Sequence, residues 1–184
     1  EIVRHEVLGL PSNVGTGKLV IDRARCQLCG AIKKGDEEAF RTIILDLYLS
    51  GHSAAEILDK TISGAFKEIG DSWECGDLEV YQERRGCEIC MRIVYQLESL
   101  LPTLPKNAPR AIGGTLTGDR YQLPTTMVRV ALQEAGFHAE SLGIDLPATT
   151  LCAAMEENKP DLFWLSVSHI VSVDHFLQEY AKVY

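Results

Sequence analysis

Residues Ser72–Cys90, SWECGDLEVYQERRGCEIC, divide the chain into its layers. Trp73 stands just ahead of a glycine-containing turn, Cys75-Gly76-Asp77. A long helical pattern follows and carries Glu83, Arg84, Cys87 and Cys90. An indole before a turn, with polar groups about three helical turns further on, is the arrangement of a lid over a flat ligand. The chain on either side of this stretch reads as two different folding layers.

Upstream, from residue 20 on, the segments read as helical. From residue 20 to 34 the apolar positions Ile21, Ala24, Leu28 and Ile32 recur at helical spacing. Gly35 ends that helix, and Asp36 is a favourable N-cap for the next, over 37–50, with Phe40, Ile43, Ile44, Leu47 and Tyr48 on one face. After Gly51, Ser53 and Glu56 have the spacing of a capping box for a third helix bearing Ile57, Leu58, Ile62, Ala65, Phe66 and Ile69. Asp77 is the expected cap of the fourth, which ends before Pro102. Four amphipathic helices joined by short connections predict an antiparallel four-helix bundle over residues 20–101. Residues 1–19, with Pro11, Asn13, Gly15 and Gly17, read as an arm or linker.

Downstream the period changes. Residues 102–110, PTLPKNAPR, form a proline-rich linker. Strands are expected over 111–116, 137–143 and 161–168, and helices over 123–135, 148–158 and 173–184. The run DLFWLSVS at 161–168 is apolar enough for a parallel strand buried on both faces. Strand and helix alternate as in a doubly wound α/β domain of flavodoxin type, which has about five strands. The pattern over 111–184 breaks off after its third unit, so an incomplete, Rossmann-like sheet is expected.

The 184 residues are 46% hydrophobic and 24% charged, ordinary for a globular chain, and no apolar run approaches the length needed to span a bilayer. A formal net charge of −8 argues against this chain gripping phosphates itself. Without a signal peptide, the chain is expected to be cytoplasmic and its six cysteines to be thiols rather than a disulfide framework. Four of the six form two CxxC pairs, Cys26/Cys29 and Cys87/Cys90. On a helix such pairs share a face, and two of them on adjacent helices have the ligand count of a zinc or iron–sulfur site. Free cysteines also pack as small apolar residues, which is the commoner role inside amphipathic helices.

In a parallel sheet, ligands bind beyond the carboxyl ends of the strands. Two loops occupy that edge here. One is Thr117-Gly118-Asp119-Arg120-Tyr121-Gln122-Leu123-Pro124 after the first strand; the other is Ser166-Val167-Ser168-His169 at the end of the third. His169 and His175 stand near the same edge, although lone histidines there are more often not ligands.

These residues resemble a known family. Helices followed by a flavodoxin-like domain, with Trp73 ending the third helix, look like the cobalamin-binding modules of methionine synthase, and more closely like those of light-sensing MerR-type repressors. The segments GDEEAFRTIILDLYLSG (35–51) and FKEIGDSWECGDLEV (66–80) fit the family's bundle, while LGIDLP (142–147) and LSVS (165–168) fit its α/β half. The resemblance implies a cobalamin or other tetrapyrrole contacted by Trp73, Glu83, Arg84, Asp119, Tyr121, Ser166 and Ser168. It also implies a ligand-sensing module of a transcriptional regulator, a homo-oligomer that reaches DNA only through an upstream domain, and no catalytic residue.

Two positions depart from the family pattern. Trp73 is followed after nine residues by Glu83, but Arg84 stands where the photoreceptors have a histidine. Tyr121 stands where the α/β half has its lower cobalt ligand. A guanidinium has no lone pair to offer, and a phenol is a metal donor only as phenolate. Cobalamin is then expected base-on, with its own benzimidazole on the lower face. Two other readings compete with the regulator: a corrinoid carrier subunit of a methyltransferase, and a cofactor-free interaction domain.

Overall fold

The computed structural model describes residues 17–74 and 79–184; of Ser72, Trp73 and Glu74 only the helical backbone is described. The chain divides into two compact units at Pro102 and Thr103. Most of the expected N-terminal arm, and the turn at 75–78 with Asp77, lie outside the described residues.

The first unit is helical. Helix α1 (Lys18–Lys34) starts two residues before its expected position and buries Ile21, Ala24, Leu28, Ala31 and Ile32. Gly35 ends it at φ 72, a left-handed conformation that costs a glycine little. Asp36 accepts the Ala39 N–H at 3.0 Å and opens α2 (Glu37–Leu49), whose buried face is Phe40, Ile44, Leu47 and Tyr48. The Ser53 hydroxyl accepts the Glu56 N–H at 3.0 Å, which is one half of the expected capping box. The other half is replaced: the Glu56 carboxylate is spent on His52, at 2.8 Å, and on Lys60, at 2.9 Å.

The third helical segment departs from the simple pattern. A short α3 (Ala54–Glu56) passes into a π-helical stretch, Ile57–Ser63, and α-geometry resumes in α4 (Gly64–Glu74). The π-helical stretch buries Ile57, Leu58, Thr61 and Ile62, and the Ser63 hydroxyl donates to the Leu58 carbonyl five residues back at 3.0 Å. Helix α5 (Val80–Ser99) begins after Glu79, whose N–H donates to the Gln82 side chain at 3.0 Å. Helix α1 packs against α2, the π-helical stretch, α4 and α5. It meets α5 closely because Gly86 has no side chain: a Cβ there would come within 2.4 Å of Ile32 Cγ2.

The second unit is an α/β layer. Its described strands are β1 (Arg110–Gly114), β2 (His138–Ser141) and β3 (Leu162–Leu165), all parallel in the order β2-β1-β3. The connecting helices are α6 (Gln122–Glu134) and α7 (Ala148–Asn158), and α8 (Val173–Val183) follows β3. This order is that of the first three strands of a flavodoxin-type sheet, with β1 central.

Alternation along β3 shows how the two faces are covered. Trp164 points to the α6 side, where its indole N–H donates to the Thr125 hydroxyl at 3.1 Å. Phe163 and Leu165 join the opposite cluster with Leu116, Ala148, Leu151, Phe176 and Tyr180. The indole packs against β1 because Gly113 leaves it room; a Cβ there would sit 2.2 Å from the ring.

All three strands are shorter than the apolar pattern suggests. The β1–β3 ladder ends at Gly114 and Leu165, so Ser166 and Ser168 belong to a loop rather than a strand, while a parallel bridge between Leu116 and Leu146 continues on the β2 side. The Ser166 N–H still donates to the Gly114 carbonyl at 2.9 Å, and the two chains then separate.

Candidate functional site

Where β1 and β3 part, the sequence folds into a junction of three loops. The Thr115 hydroxyl donates to the Asp119 carbonyl at 2.6 Å and accepts the Asp145 N–H at 2.9 Å. Asp145, from the LGIDLP segment, adopts φ 57, a conformation aspartate tolerates better than most residues. Its carboxylate accepts the Gly118 N–H at 2.8 Å and the Arg120 Nε–H at 2.9 Å. The Gly118 N–H first, and the Arg120 guanidinium second, hold that carboxyl below its ordinary range.

Asp119 is buried, at 3% exposure, and both of its carboxylate oxygens accept backbone N–H groups. Oδ1 accepts the Tyr121 N–H at 3.0 Å. Oδ2 accepts the Ser168 N–H at 2.6 Å and the His169 N–H at 3.3 Å. Burying a carboxylate is costly unless such donors replace water. Here the donors come from both loops, so one side chain fixes the loop after β1 against the loop after β3.

Beside this junction lies a cavity of about 250 Å³. Its apolar walls include Leu116, Val167, Ile170, Val171 and Phe176, and its polar lining includes Asp119, Ser166, His169 and His175. The His169 ring lies 6.3 Å from the Tyr121 ring, centroid to centroid, with the planes tilted by 56°. The structure therefore brings Asp119, Tyr121, Ser166 and Ser168 to one edge, as the sequence suggests. It adds Thr115, Asp145, His169 and His175. Of these, the two histidines were visible in the sequence as imidazoles near the edge, and Asp145 lies in the LGIDLP segment without its task being legible there; Thr115 bonds only backbone groups and leaves no motif.

In the helical unit, the side chain of Trp73 lies outside the described residues. Glu83 accepts from the Cys87 thiol at 3.2 Å and pairs with Arg84 at 3.5 Å. Arg84 is largely exposed.

The four CxxC thiols do not come together. Among the described residues no group of three or more histidine, cysteine or acidic side chains is placed to hold a metal. Cys26 is exposed, whereas Cys29 donates to Glu68 at 3.3 Å and to the Ala65 carbonyl at 3.6 Å. Burial, and then the neighbouring carboxylate, pushes the Cys29 and Cys87 thiols up to about 12. Burial raises Cys90 as well. Metal ligation needs thiolates, and these environments favour the thiol. In place of the four-thiolate arrangement, Cys29 and Cys87 bond carboxylates, Cys90 packs in the core and Cys26 faces solvent.

Residues 25–98 match the model of a family described as B12 binding domain. Among curated relatives, dimethylamine corrinoid protein 2 of Methanosarcina acetivorans is 27% identical over 114 residues, covering 61% of this chain and 53% of the relative. Trimethylamine corrinoid protein 1 of the same organism is 24% identical over 135 residues, covering 72% and 62%. Among solved structures, the monomethylamine corrinoid protein of Methanosarcina barkeri superposes with a TM-score of 0.66 at 19% identity, over 88% of this chain and 76% of that one. At that identity the likeness shows the fold: helices plus a parallel α/β layer. The chain spans between about half and three-fifths of the length of these curated relatives.

Residues 25–98 are thus similar to a B12 binding domain, and curated corrinoid proteins are similar to this chain. This overturns the regulator reading. The matched relatives are named as corrinoid proteins, not as photoreceptors or repressors. The error has a physical origin, because the architecture is shared by proteins of different function and the histidines that would mark a photoreceptor are absent. The relatives' names likewise describe cofactor-binding proteins rather than enzymes. No described helix is long and apolar enough to cross a membrane.

Proposed function

We propose that this chain is a corrinoid carrier that serves a methyltransferase. The observation that carries the reading is the Asp119 junction, which holds two loops at the carboxyl edge of the sheet beside an apolar cavity. It occurs in a chain whose helical residues match a B12 binding domain and whose relatives are methylamine corrinoid proteins. A bound corrin would supply a cobalt that accepts and passes on a one-carbon group.

The chain's own residues would bind and orient. Asp119 and Asp145 hold the loop after β1 in one conformation before any ligand arrives, which lowers the ordering cost of binding. The cavity walls suit a flat apolar heterocycle such as the cofactor's benzimidazole, with Ser166 placed to meet its polar end. That pocket favours a cofactor whose base has left the cobalt over the base-on form expected from the missing histidine. Trp73 is the contact proposed for the helical unit. That unit is read as an antiparallel four-helix bundle spanning 20–101, in keeping with the short connections at 35–36 and 50–53.

The test is transfer. The chain loaded with methylcobalamin is mixed in the dark with a methylamine-type corrinoid methyltransferase and excess dimethylamine as methyl acceptor, and is followed by absorbance, which reads the cob(I)alamin left behind, and by product analysis. Loss of the methyl–cobalt spectrum with matching methylation of the amine supports the carrier. A loaded chain that stays inert while a methylamine corrinoid protein turns over contradicts it.

A further inference from the structure

We propose that His169, in the loop after β3, provides the axial nitrogen to cobalt that the loop after β1 lacks. The inference rests on the corrin-carrier reading and deepens it.

Tyr121 stands where the loop after β1 enters α6. Its ring is exposed at the sheet edge and offers a phenol where a neutral imidazole would be the better donor. His169 stands beside it, ring centroids 6.3 Å apart. Their proximity is built into the fold, because the backbone N–H groups of both residues are held by one carboxylate, that of Asp119. A side chain rooted at His169 therefore starts from the same anchor as one rooted at Tyr121 and serves the same patch of the edge.

His169 is also exposed and lines the cavity, so its ring nitrogens are accessible to a ligand arriving there. His175 lines the same cavity but is rooted elsewhere. It lies in the first turn of α8, its N–H donating to the Ser172 hydroxyl at 3.4 Å, and no bond joins it to Asp119. The β3 loop thus offers an imidazole beside the place where the β1 loop offers a phenol.

Electron paramagnetic resonance of the whole chain, reconstituted anaerobically with cob(II)alamin, tests this directly. One axial nitrogen splits each cobalt line into a triplet when it is nitrogen-14 and into a doublet when it is nitrogen-15. Protein labelled with nitrogen-15 histidine and loaded with unlabelled cofactor is expected to give doublets. His169→Ala is expected to abolish the doublet, while His175→Ala keeps it. Retained corrin with triplets in labelled wild-type protein means the cofactor's own base is the ligand and overturns the inference while leaving the carrier reading intact. A doublet that survives His169→Ala overturns it too. Corrin lost entirely on desalting overturns the carrier reading and the inference together. The labelled wild-type spectrum needs no variant, so poor folding of His169→Ala does not blunt the test.

Discussion

The carboxylate of Asp119 accepts the backbone N–H of Ser168 at 2.6 Å, across 49 residues of sequence. Through Oδ1 it also takes the Tyr121 N–H. Hydrogen bonds to a charged acceptor are worth roughly 1.5–3 kcal/mol each when buried. Asp119→Asn removes the charge and turns one acceptor into a donor facing other donors. The α/β unit is expected to lose about 2 kcal/mol. Urea denaturation followed by Trp164 fluorescence in a Trp73→Phe background reads the loss, and amide exchange at Tyr121 and Ser168 should accelerate selectively. A variant as stable as the wild type would show that the junction is not held by this side chain.

Gly113 is expected to be intolerant of any side chain. An added methyl carbon would lie 2.2 Å from the Trp164 indole and 2.3 Å from the Trp164 backbone carbonyl oxygen. Gly113→Ala must displace the ring or bend β1, an overpacking cost of roughly 1–3 kcal/mol. Trp164 emission should shift to the red as the Thr125 hydrogen bond is strained. An unchanged emission maximum and denaturation midpoint would mean that the strand gives way freely.

The thiols make a prediction with a definite sign. Cys29 and Cys87 are pushed up from an ordinary 9.0 to about 12, by burial first and by their carboxylate partners second. Their neutral form is therefore the folded form. Stability from these groups is intact below the ordinary thiol value and falls as pH rises past it, because the unfolded chain ionises first. At pH 8 both should alkylate roughly fiftyfold more slowly than a cysteine in a peptide, once the higher intrinsic nucleophilicity of a high-pKa thiolate is allowed for. Mass spectrometry resolves this residue by residue. The same preparation should retain no stoichiometric zinc or iron, and one metal per chain would reverse the account of the CxxC pairs.

Acid should loosen the β1 loop through Asp145. Its carboxyl is held below the ordinary 3.8, by the Gly118 N–H and then by Arg120. A depressed carboxylate stabilises the fold above its unfolded value and loses that contribution as pH falls through the folded one. Loosening is thus expected below pH 3.8 and not near neutrality. Asp145→Asn keeps a residue that tolerates the left-handed backbone while removing the charge. It should flatten the acid limb of the stability profile, and an unaltered limb would assign that limb to other carboxyls.

How far the sequence revealed this molecule differs from element to element. Helices α1 and α2 are legible because Gly35 and Asp36 end one and start the next by local chemistry alone. The π-helical stretch is not, because Ile57, Leu58, Thr61 and Ile62 keep a buried face whichever way the backbone winds. The end of β3 is hidden for a related reason: the apolar run continues through Val167, but pairing depends on where β1 leaves the sheet. At the site, residue types were visible and their tasks were not. Asp119 reads as a ligand contact, yet its oxygens are occupied by backbone N–H groups of two loops. His169 reads as a lone histidine until folding sets it beside Tyr121. The regulator expectation failed at the level where an architecture shared by carriers and sensors stops being informative.

The central claim is that this chain holds a corrin. The whole chain is incubated with excess hydroxocobalamin, passed through a desalting column, and the protein fraction is measured for cobalt and for corrin absorbance. The account expects close to one cobalt per chain to travel with the protein, and Asp119→Asn to lose most of it. Cobalt eluting entirely with the small molecules, from a protein whose circular dichroism shows it folded, would contradict it.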